Sequence, residues 1–551
     1  MRSSFRETLL AALVLAGCSL AVALIVPPTD ELPHCDDWDY VETARHFLAT
    51  GKIVLSDWPA FTLVTHVLWG SLFAAVLGPS YFAFRVSMFV MSWLGAIGIY
   101  HWVRDCGRGW RVSVWVAAVV LLNPLNLVYQ NSFMSEVTGG TAFIWLALVL
   151  RRATSGLKPV RTGLLAAFAY LARQTAVVPL IAACLIEGRE FLVTRRLDWR
   201  LLVAVGIFLP FVMGHWWWLE LHGRPYSMQL TAKFAWPGMA ELAQRISILL
   251  LGASLWVAPV TIGRWSLSDL SIRRRAVVIW GVIVAAVVVA NGELPAPYSR
   301  QEVFDLGSGF SDSIVEIQHL EGPAVEVCGR RVPVIRVVTT VLALASLLAA
   351  IQCLVAARVE RLWESRGFQL ASISTVILVG LLCAVPTMYG RYVWPVTISA
   401  MMAWLCAVAA PDVKRFPTGA LVLTVVYAVG GVLGLQDNSV CQQTVWRGIA
   451  QLESQGVDPR EINAGLEYGG VRRFSPRYRG EQNRGPYLAT LVPGKREAEF
   501  VTYNPHNIFA PVRHYAVTYG PVKDYEVIDE LEFRSWWRRG RIYVLKRKDR
   551  A

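Results

Sequence analysis

Charged side chains are scarce in this sequence of 551 residues. Only 17% of the residues are Asp, Glu, Lys or Arg, whereas 55% are hydrophobic. A soluble protein of this length needs far more polar surface to cover itself. The composition therefore excludes an ordinary soluble protein and predicts a protein that crosses a membrane several times.

Several catalytic and metal-binding motifs are also missing. The sequence has no P-loop, no GxGxxG turn after a strand, no GxSxG elbow and no HExxH, so nucleotide hydrolysis, hydride transfer and zinc proteolysis have no support. The nine cysteines lack CxxC spacing, which argues against a zinc site. One disulfide stays open among the three that would face outward: Cys35, Cys328 and Cys441.

Apolar runs long enough to cross about 30 Å of hydrocarbon recur along the chain. We predict about thirteen spans, near Leu9–Val26, Tyr81–Trp102, Val112–Tyr129, Val137–Leu150, Thr162–Leu171, Thr175–Val193, Leu201–Leu219, Glu241–Ile262, Ala276–Ala290, Val334–Ala356, Leu370–Met388, Tyr392–Ala410 and Thr418–Leu435. An odd number of spans puts the two ends of the chain on opposite sides of the membrane.

The basic residues come in short clusters between these runs. The formal net charge of +13 would also fit a nucleic-acid-binding protein. Clusters between apolar runs, however, are typical of the cytoplasmic loops of membrane proteins. With the N-terminus inside, the cytoplasmic loops contain Arg104/Arg108/Arg111, Arg151/Arg152/Lys158/Arg161, Arg195/Arg196/Arg200, Arg264/Arg273/Arg274/Arg275, Arg358/Arg361/Arg366 and Lys414/Arg415. We therefore expect a plasma-membrane protein of a bacterium with its C-terminal domain outside.

The first apolar run has two alternative interpretations. Arg2 and Arg6 precede it as in a signal peptide, and "LAGC" at Leu15–Cys18 resembles a lipoprotein cleavage site. The run continues for eight residues beyond Cys18 and further spans follow. We expect an uncleaved first span.

The first outer loop, residues 27–80, contains two more helical patterns. Trp38–Thr50 has apolar residues on one face, which predicts a helix along the membrane surface. The following apolar stretch, "SDWPAFTLVTHVLWGSLFAAVLGPS", carries Asp57 and His66. A span there would invert every later loop, so we predict a helix in the outer interface.

A domain boundary is predicted near Leu435. Residues 1–435 contain the apolar runs, including a long outer loop at 291–333, and residues 436–551 contain none. The segments "HYAVTYG", "EFVTYN" and "RIYVLKR" are typical of strands, and a helix is expected near Thr444–Gly456. This pattern predicts a small extracytoplasmic α+β domain.

Three carboxylates follow the first span in "PHCDDWDY": Asp36, Asp37 and Asp39. An Asp before a helix can cap its free N–H groups, and acids in the first turn complement the helix dipole. That interpretation leaves unexplained why the pair is held beside the membrane, where a carboxylate is costly to desolvate. The alternative is a general base that acts on an acceptor hydroxyl or amine beside a lipid-linked donor.

Four segments in this order resemble the GT-C glycosyltransferases. They are "DD" followed by "ARHFLATG", then "NSFMSEV", "LARQTAVVPL" and "GRYVWP". The likeness is to the family 39-like group, which is related to protein O-mannosyltransferases and to bacterial aminoarabinose transferases of lipid A. In the C-terminal part, "INAGLEYGG" and "RIYVLKR" resemble the outer domain of some bacterial members. The resemblance implies a GT-C membrane domain and transfer of a sugar from a polyprenyl phosphate.

The resemblance also implies roles for the acids. Aligned through "ARHFLATG", Asp36 falls on the catalytic Asp of the family and is expected to be the general base, with Asp37 as its acidic neighbour. Asp39 falls where the family more often has an aromatic residue, so it is expected to be only a first-turn acid. Glu136 stands where the family usually has Asp and is expected to orient the acceptor or Asp36; an exposed interfacial acid is the alternative.

Further candidates lie at the outer ends of spans. Arg173 and Arg391 would hold the donor phosphate, with a hydrogen bond from Tyr392; the alternative is that they anchor the spans at the headgroups. In "GHWWWLELHGR", the accessory candidates are His215, His222 and Arg224, although consecutive Trp residues are more typical of an interface belt.

The expected activity is transfer of one sugar to an acceptor outside the membrane with inversion at the anomeric carbon. The acceptor is a lipid, a glycan or a protein, and the sugar is not defined by the sequence. GT-C enzymes differ in their use of a divalent metal ion, so a metal stays open. A transporter or flippase of lipid-linked sugars is the alternative function, but the sequence shows no internal repeat and its strongest charges lie at span ends.

Overall fold

The computed structural model describes residues 4–34, 36–56, 59, 61–152, 156, 158–225, 228, 237–262, 274–291, 333–357, 362–385, 393–407, 418–464, 467–468, 471, 514–518, 520, 525–536 and 539–548. The first ten helices are α1 Phe5–Ile25, α2 Asp37–Thr50, α3 Val64–Leu77, α4 Tyr81–Asp105, α5 Trp110–Leu121, α6 Pro124–Gln130, α7 Ser135–Arg151, α8 Pro159–Ala172, α9 Val178–Thr194 and α10 Trp199–His222. The later helices are α11 Met239–Trp256, α12 Ala258–Thr261, α13 Arg274–Asn291, α14 Pro333–Ala356, α15 Arg366–Ala384, α16 Val393–Ala407 and α17 Thr418–Ser454.

Each predicted span coincides with a helix, which confirms the class of helical membrane protein. Within the described ranges, six helices are long and apolar enough to cross a membrane. A seventh crossing results if α5 and α6, which are bent by 62° at the break between them, form one span. The total of thirteen stays a prediction, because two of the predicted spans, α8 and α16, are apolar but shorter.

Local sequence signals explain where several helices begin. Ser4 and Glu7 form a reciprocal capping box at the start of α1. The Ser80 hydroxyl accepts the N–H of Ala83 at the start of α4, and the Glu31 carboxylate accepts the N–H groups of Tyr81 and Phe82. Donors that would otherwise be unpaired at these helix ends are thereby satisfied.

The helices that hold the candidate site pack closely because glycines face neighbouring side chains. A Cβ on Gly95 of α4 would lie 2.6 Å from the hydroxyl of Thr141 on α7. A Cβ on Gly98 of α4 would lie 2.7 Å from Ile144 on α7. Both gaps are too short for any side chain, so α4 and α7 reach this separation only with glycine at these positions.

The two helices of the first outer loop pack into the protein. The predicted apolar face of α2 is real, but Trp38, Val41 and Ala44 are buried against the chain rather than resting on the membrane surface. Helix α3 buries His66 and Val67 against the bundle and exposes Leu72 and other apolar side chains on its far side. An exposed apolar face of this kind suits contact with lipid, as expected for an interfacial helix.

The C-terminal part combines the end of α17 with a four-stranded sheet. The strands are β1 Ile462–Asn463, β2 Tyr515–Thr518, β3 Tyr525–Arg534 and β4 Arg539–Arg547, in the order β1-β2-β4-β3. Strand β1 pairs with β2 in parallel, and β4 pairs with β2 and β3 antiparallel. Helix and sheet share a core of their own, in which Val445 and Ile449 meet Val517 and Val544.

The predicted boundary near Leu435 falls inside α17, which continues past it without a break. Leu435 belongs to the core of the bundle, whereas Cys441 belongs to the core beneath the sheet. The α+β character predicted for this part is present in the described strands. The segment "EFVTYN" lies outside the described residues.

Candidate functional site

The three predicted carboxylates lie around the start of α2. Asp36 occupies the capping position before the helix, but its side chain makes no capping hydrogen bond to the helix. All three side chains are buried, with exposed fractions of 5% for Asp36 and 0% for Asp37 and Asp39. Burying three acids costs more free energy than helix capping can contribute, since one cap stabilises a helix by about 1 kcal/mol.

Asp37 joins the first loop to the start of α7. Its Oδ1 accepts the backbone N–H of His34 at 2.6 Å, and its Oδ2 accepts the backbone N–H of Phe133 at 3.3 Å. Burial raises the pKa of Asp37 to about 8, although the Arg85 charge and these two hydrogen bonds act in the opposite direction. The charge of Glu467, from the C-terminal part, raises this pKa further. At neutral pH this acid is therefore mostly protonated.

Asp39 has a different environment from its neighbours. Its Oδ1 accepts a hydrogen bond from the hydroxyl of Ser56, seventeen residues further along the chain. The contact ties the segment after α2 back to its first turn. Asp39 lies in the first turn of α2, and its predicted role as a first-turn acid stays a prediction.

Glu136 and Arg173 form a buried ion pair. Glu136 lies in the first turn of α7, and Arg173 directly follows the last residue of α8. The Arg173 Nη1 lies 2.8 Å from the Glu136 Oε1 and donates to the Ser135 hydroxyl at 3.0 Å. The guanidinium also lies over the ring of Phe61, at 3.6 Å from the ring centroid. Both side chains are about 95% buried, with exposed fractions of 4% and 5%, so neither reaches out to headgroups or solvent as the alternatives required.

His66 connects the acid turn and this ion pair, and its role was not predicted from the sequence. Its Nε2 lies 3.2 Å from the carbonyl oxygen of Phe133, which can only accept, so Nε2 carries the proton. Its Nδ1 accepts from the Thr138 hydroxyl at 2.8 Å. Burial lowers the pKa of His66 to about 3, so the ring is neutral. The imidazole thus holds the start of α7, with Phe133 and Glu136, in a fixed position.

A second buried cluster lies in the loop directly before the acidic turn, and it too was not predicted from the sequence. The Arg85 guanidinium is fully buried and donates to the Asp30 carboxylate, to the Asp30 carbonyl at 2.6 Å and to the Leu32 carbonyl. Burial would raise the pKa of Asp30, but His34, Arg85 and Ser439 together hold it well below its usual range. Burial and the Arg85 charge lower the pKa of His34. Asp30 is therefore charged and His34 neutral.

The same cluster reaches the C-terminal part. The Ser439 hydroxyl on α17 donates to the Asp30 Oδ2 at 2.9 Å, and the Asn438 amide lies 3.4 Å from the His34 Nδ1. These contacts join residues about 400 positions apart in the chain. The C-terminal helix is thereby attached to the loop that carries the acids.

The accessory candidates on α10 contact mainly their own helix. His222 Nδ1 bonds to the Trp218 carbonyl at 2.9 Å, and Arg224 pairs with Glu220 while lying over the Trp216 ring. His215 lies 3.4 Å from the Tyr170 hydroxyl on α8. The interface-belt interpretation fits the exposed Trp217 beside them.

Other predicted residues lie outside the described residues. These are Arg391 and Tyr392, as well as Cys35 and Cys328. Cys441 is described, and it is buried in the core beneath the sheet. Among the described residues, no group of three or more His, Cys, Asp or Glu side chains is arranged to hold a metal ion.

Every residue of this site lies at one end of the bundle, where α4 and α7 begin and α8 ends. At the opposite end, the described ion pairs join neighbouring helices: Glu7–Arg104, Asp105–Arg152 and Glu187–Arg366. Fold and site together define a multi-pass helical membrane protein with a buried acidic site at one end of its helices.

No family model matches the sequence, and no curated protein does. Similar solved structures include ArnT from Cupriavidus metallidurans in the apo state, which is 13% identical over 97% of both chains with a TM-score of 0.42. ArnT from the same organism bound to undecaprenyl phosphate is 14% identical over 97% of both chains, with a TM-score of 0.41. Arabinosyltransferase EmbB from Mycobacterium smegmatis is 14% identical over 77% of this chain and 41% of its own, with a TM-score of 0.32. At these TM-scores the likeness assigns no role to any residue of this chain.

Proposed function

We propose that this protein is an integral-membrane glycosyltransferase, which transfers a sugar from a polyprenyl phosphate to an acceptor on the outer side of the membrane. One observation carries the proposal. The Asp37–Phe133 hydrogen bond brings the acidic turn of α2 against the start of α7, which carries the Glu136–Arg173 ion pair. This arrangement supports a base and a cation for the leaving phosphate at the same end of a membrane bundle.

Asp36 is the proposed general base. Its carboxylate takes the proton from the acceptor hydroxyl or amine, and the acceptor atom forms a bond to the anomeric carbon of the sugar. The bond between that carbon and the phosphate oxygen breaks on the opposite face, so the configuration inverts. The electron pair leaves with the polyprenyl phosphate, whose added negative charge needs a cation nearby.

Arg173 is the proposed cation for this phosphate, together with Arg391 and Tyr392. Glu136, Ser135 and the Phe61 ring surround the Arg173 guanidinium and limit its freedom to rotate. A guanidinium held in this way loses little conformational entropy when it binds a phosphate. Glu136 is thus proposed to position Arg173, in addition to the acceptor-orienting role that the sequence predicts for it.

The central experiment replaces the base without changing its shape. A strain that lacks the gene is complemented with the wild type or with Asp36→Asn, and its glycolipids and glycans are compared by mass spectrometry. We expect the wild type to restore one glycosylated product and Asp36→Asn to lower it at least about a hundredfold, the lower range for loss of a general base. Glu42→Gln is the matched control, because Glu42 lies on the same helix and pairs only with the partly exposed Arg45.

The outcome distinguishes an enzyme from a flippase. The purified protein is placed in liposomes that contain the lipid-linked sugar and the acceptor. We expect it to transfer the sugar to the acceptor without moving the lipid-linked sugar between leaflets. If Asp36→Asn keeps full transfer, the assignment of the base is wrong. If the wild type moves the precursor between leaflets and transfers nothing, the flippase is the correct function.

A binding experiment tests the phosphate site separately. Undecaprenyl phosphate is added to the protein in detergent, and bound lipid is measured by native mass spectrometry. We expect Arg173→Gln to weaken binding about tenfold, because one charge-assisted hydrogen-bonding group is lost. The control Arg152→Gln changes an exposed arginine at the opposite end of the bundle and should bind as the wild type does. Equal binding by Arg173→Gln would remove Arg173 from the donor site.

A further inference from the structure

Two cysteines and an arginine meet at the end of the bundle opposite the acidic site. Cys106 directly follows α4, and Cys406 lies in the last turn of α16, 300 residues later. Their sulfur atoms are 3.5 Å apart. Both thiols are partly exposed, and each lies at the end of a helix.

Arg151, the last residue of α7, contacts both sulfur atoms. Its Nη1 lies 3.1 Å from the Cys106 Sγ and 3.5 Å from the Cys406 Sγ. The guanidinium is held over the ring of Trp102, with the Cζ atom 4.5 Å from the ring centroid, and donates to the Trp102 carbonyl at 3.3 Å. Room for this arginine exists because residue 367 is glycine; a Cβ there would lie 2.8 Å from the arginine Nε.

This arrangement has the chemical requirements of a reactive dithiol. A cation beside a thiol stabilises the thiolate, which is the nucleophile in thiol–disulfide exchange. The hydrogen bond from the Cys406 thiol and the Arg151 charge lower the pKa of Cys106 to about 7, although burial acts in the opposite direction. A second thiol at 3.5 Å can then resolve the mixed disulfide after a small movement, because the final bond is about 2.05 Å long.

We propose that Cys106 and Cys406, with Arg151, form a redox-active dithiol site that low-molecular-weight disulfides oxidise to an intramolecular disulfide. The Cys106 thiolate attacks one sulfur of the oxidant and releases the other as a thiolate. The Cys406 thiol loses its proton and attacks the Cys106 sulfur, which expels the second thiol of the oxidant. Two electrons pass to the oxidant, two protons leave the protein, and α4 becomes linked to α16.

The test uses the purified full-length protein and oxidised glutathione as the oxidant. Free thiols are counted with a maleimide, and digests are searched for the peptide pair joined through Cys106 and Cys406. We expect both thiols to disappear together, the linked pair to appear, and reduction to restore both. Cys106→Ser and Cys406→Ser should each abolish the linked pair, whereas Cys184→Ser, which changes an exposed cysteine elsewhere, should leave it unchanged.

A second measurement does not depend on variants that must fold. The rate at which iodoacetamide alkylates Cys106 in the wild type is followed against pH by peptide mass spectrometry. The alkylation rate should rise through pH 7 and level off, whereas an ordinary thiol would keep gaining reactivity above about pH 8.

A pair of arginine variants tests the role of the cation in the oxidation by glutathione. Arg151→Gln should slow this oxidation roughly threefold, and Arg152→Gln should not.

Two results would overturn the proposal. One is that oxidised glutathione leaves both thiols reactive while other cysteines of the same sample are modified. The other is that Cys106 carries glutathione with no linked pair formed, since the neighbouring thiol would then fail to resolve it.

Discussion

Protonation of Asp37 sets the charge of the acidic turn. Because the pKa of Asp37 is raised to about 8, the pair Asp36/Asp37 holds a protonated acid beside a second carboxyl group at neutral pH. Two adjacent buried anions would repel each other strongly, and a proton on Asp37 avoids that cost. We propose that Asp37 is a positioning residue, which acts through its hydrogen bonds to the His34 and Phe133 backbone.

The raised pKa predicts a particular dependence of stability on pH. The unfolded chain releases the Asp37 proton at about pH 4, whereas the folded protein keeps it up to about pH 8. The folded state thus binds more protons between these values, so the free energy of unfolding falls as pH rises through this window. Asp37→Asn should flatten this part of the curve and, because an amide offers one acceptor fewer, lower stability at pH 5 by about 1–3 kcal/mol.

Thermal unfolding in detergent between pH 5 and pH 9 measures this effect as a difference between wild type and variant. Glu42→Gln should keep the wild-type slope, because that acid is partly exposed and pairs with Arg45. Identical slopes for the wild type and Asp37→Asn would show that the Asp37 proton is released near its usual pH.

The acids of the site could be recognised from the sequence, but their supports could not. Asp36, Asp37 and Glu136 stand out because carboxylates are rare near apolar runs. Arg85, His34 and His66 do not stand out, because an arginine near a span end normally extends to the headgroups and a single histidine on an apolar helix is common in cores. Only the folded chain shows that Arg85 is fully buried against Asp30.

At the scale of elements, α7 carries the ion pair at one end and contacts the dithiol site at the other. The close packing of α7 against Arg173 depends on Gly139, which lies in α7. A Cβ at position 139 would lie 3.0 Å from the Arg173 Cβ and 3.1 Å from its Cδ. At the next position, 140, a Cβ would meet the Trp394 ring at 3.4 Å, which is ordinary van der Waals contact.

We therefore predict opposite results for two neighbouring substitutions on α7. Gly139→Ala should push Arg173 away from Glu136, cost about 1–3 kcal/mol by overpacking and lower sugar transfer about tenfold or more. Gly140→Ala should retain most of the transfer and stability, because it adds a methyl group without a close contact. The two variants are compared by product mass spectrometry and by thermal unfolding.

Equal behaviour of these two variants would contradict the close packing of α7 against Arg173. Both substitutions replace a glycine by the best helix former, so differences in intrinsic helix propensity cancel between them.

The helices themselves were predictable because apolar length is a local property of the sequence. The described part of each predicted run is helical, and the run Val112–Tyr129 divides into α5 and α6 because Asn123 and Pro124 begin a new helix. The packing of α2 was not predictable, because the same apolar face would suit either lipid or protein. The alternation in "HYAVTYG" and "RIYVLKR" gave β2 and β4 correctly for the same local reason.

At the scale of the whole molecule, the positions of the charges predict the orientation in the membrane. Arginines cluster at the end of the bundle opposite the acids, and such clusters stay in the cytoplasm. A fusion of alkaline phosphatase to the C-terminus should be active, because this enzyme needs an oxidising compartment to fold. A fusion after Arg152 should be inactive, and the reverse pair of activities would invert the orientation.

Contact between α17 and the sheet gives a further prediction. A Cβ at Gly448 would lie 3.1 to 3.3 Å from Val517, Leu531 and Val544, whereas Gly430 on the same helix has no atom within 4 Å of that position. Gly448→Val should therefore separate the sheet from the helix, and Gly430→Val should not. Hydrogen exchange in β4 should rise at least about tenfold in the first variant only; equal protection in both would contradict this packing.

The continuity of α17 has a mechanical consequence. Thirty-seven residues in one helix measure about 55 Å, whereas the hydrocarbon layer is about 30 Å thick. A change of about 10° in the tilt of this helix would move its far end sideways by roughly 10 Å. Membrane thickness, which changes the tilt of long helices, would in this way move the sheet sideways relative to the membrane.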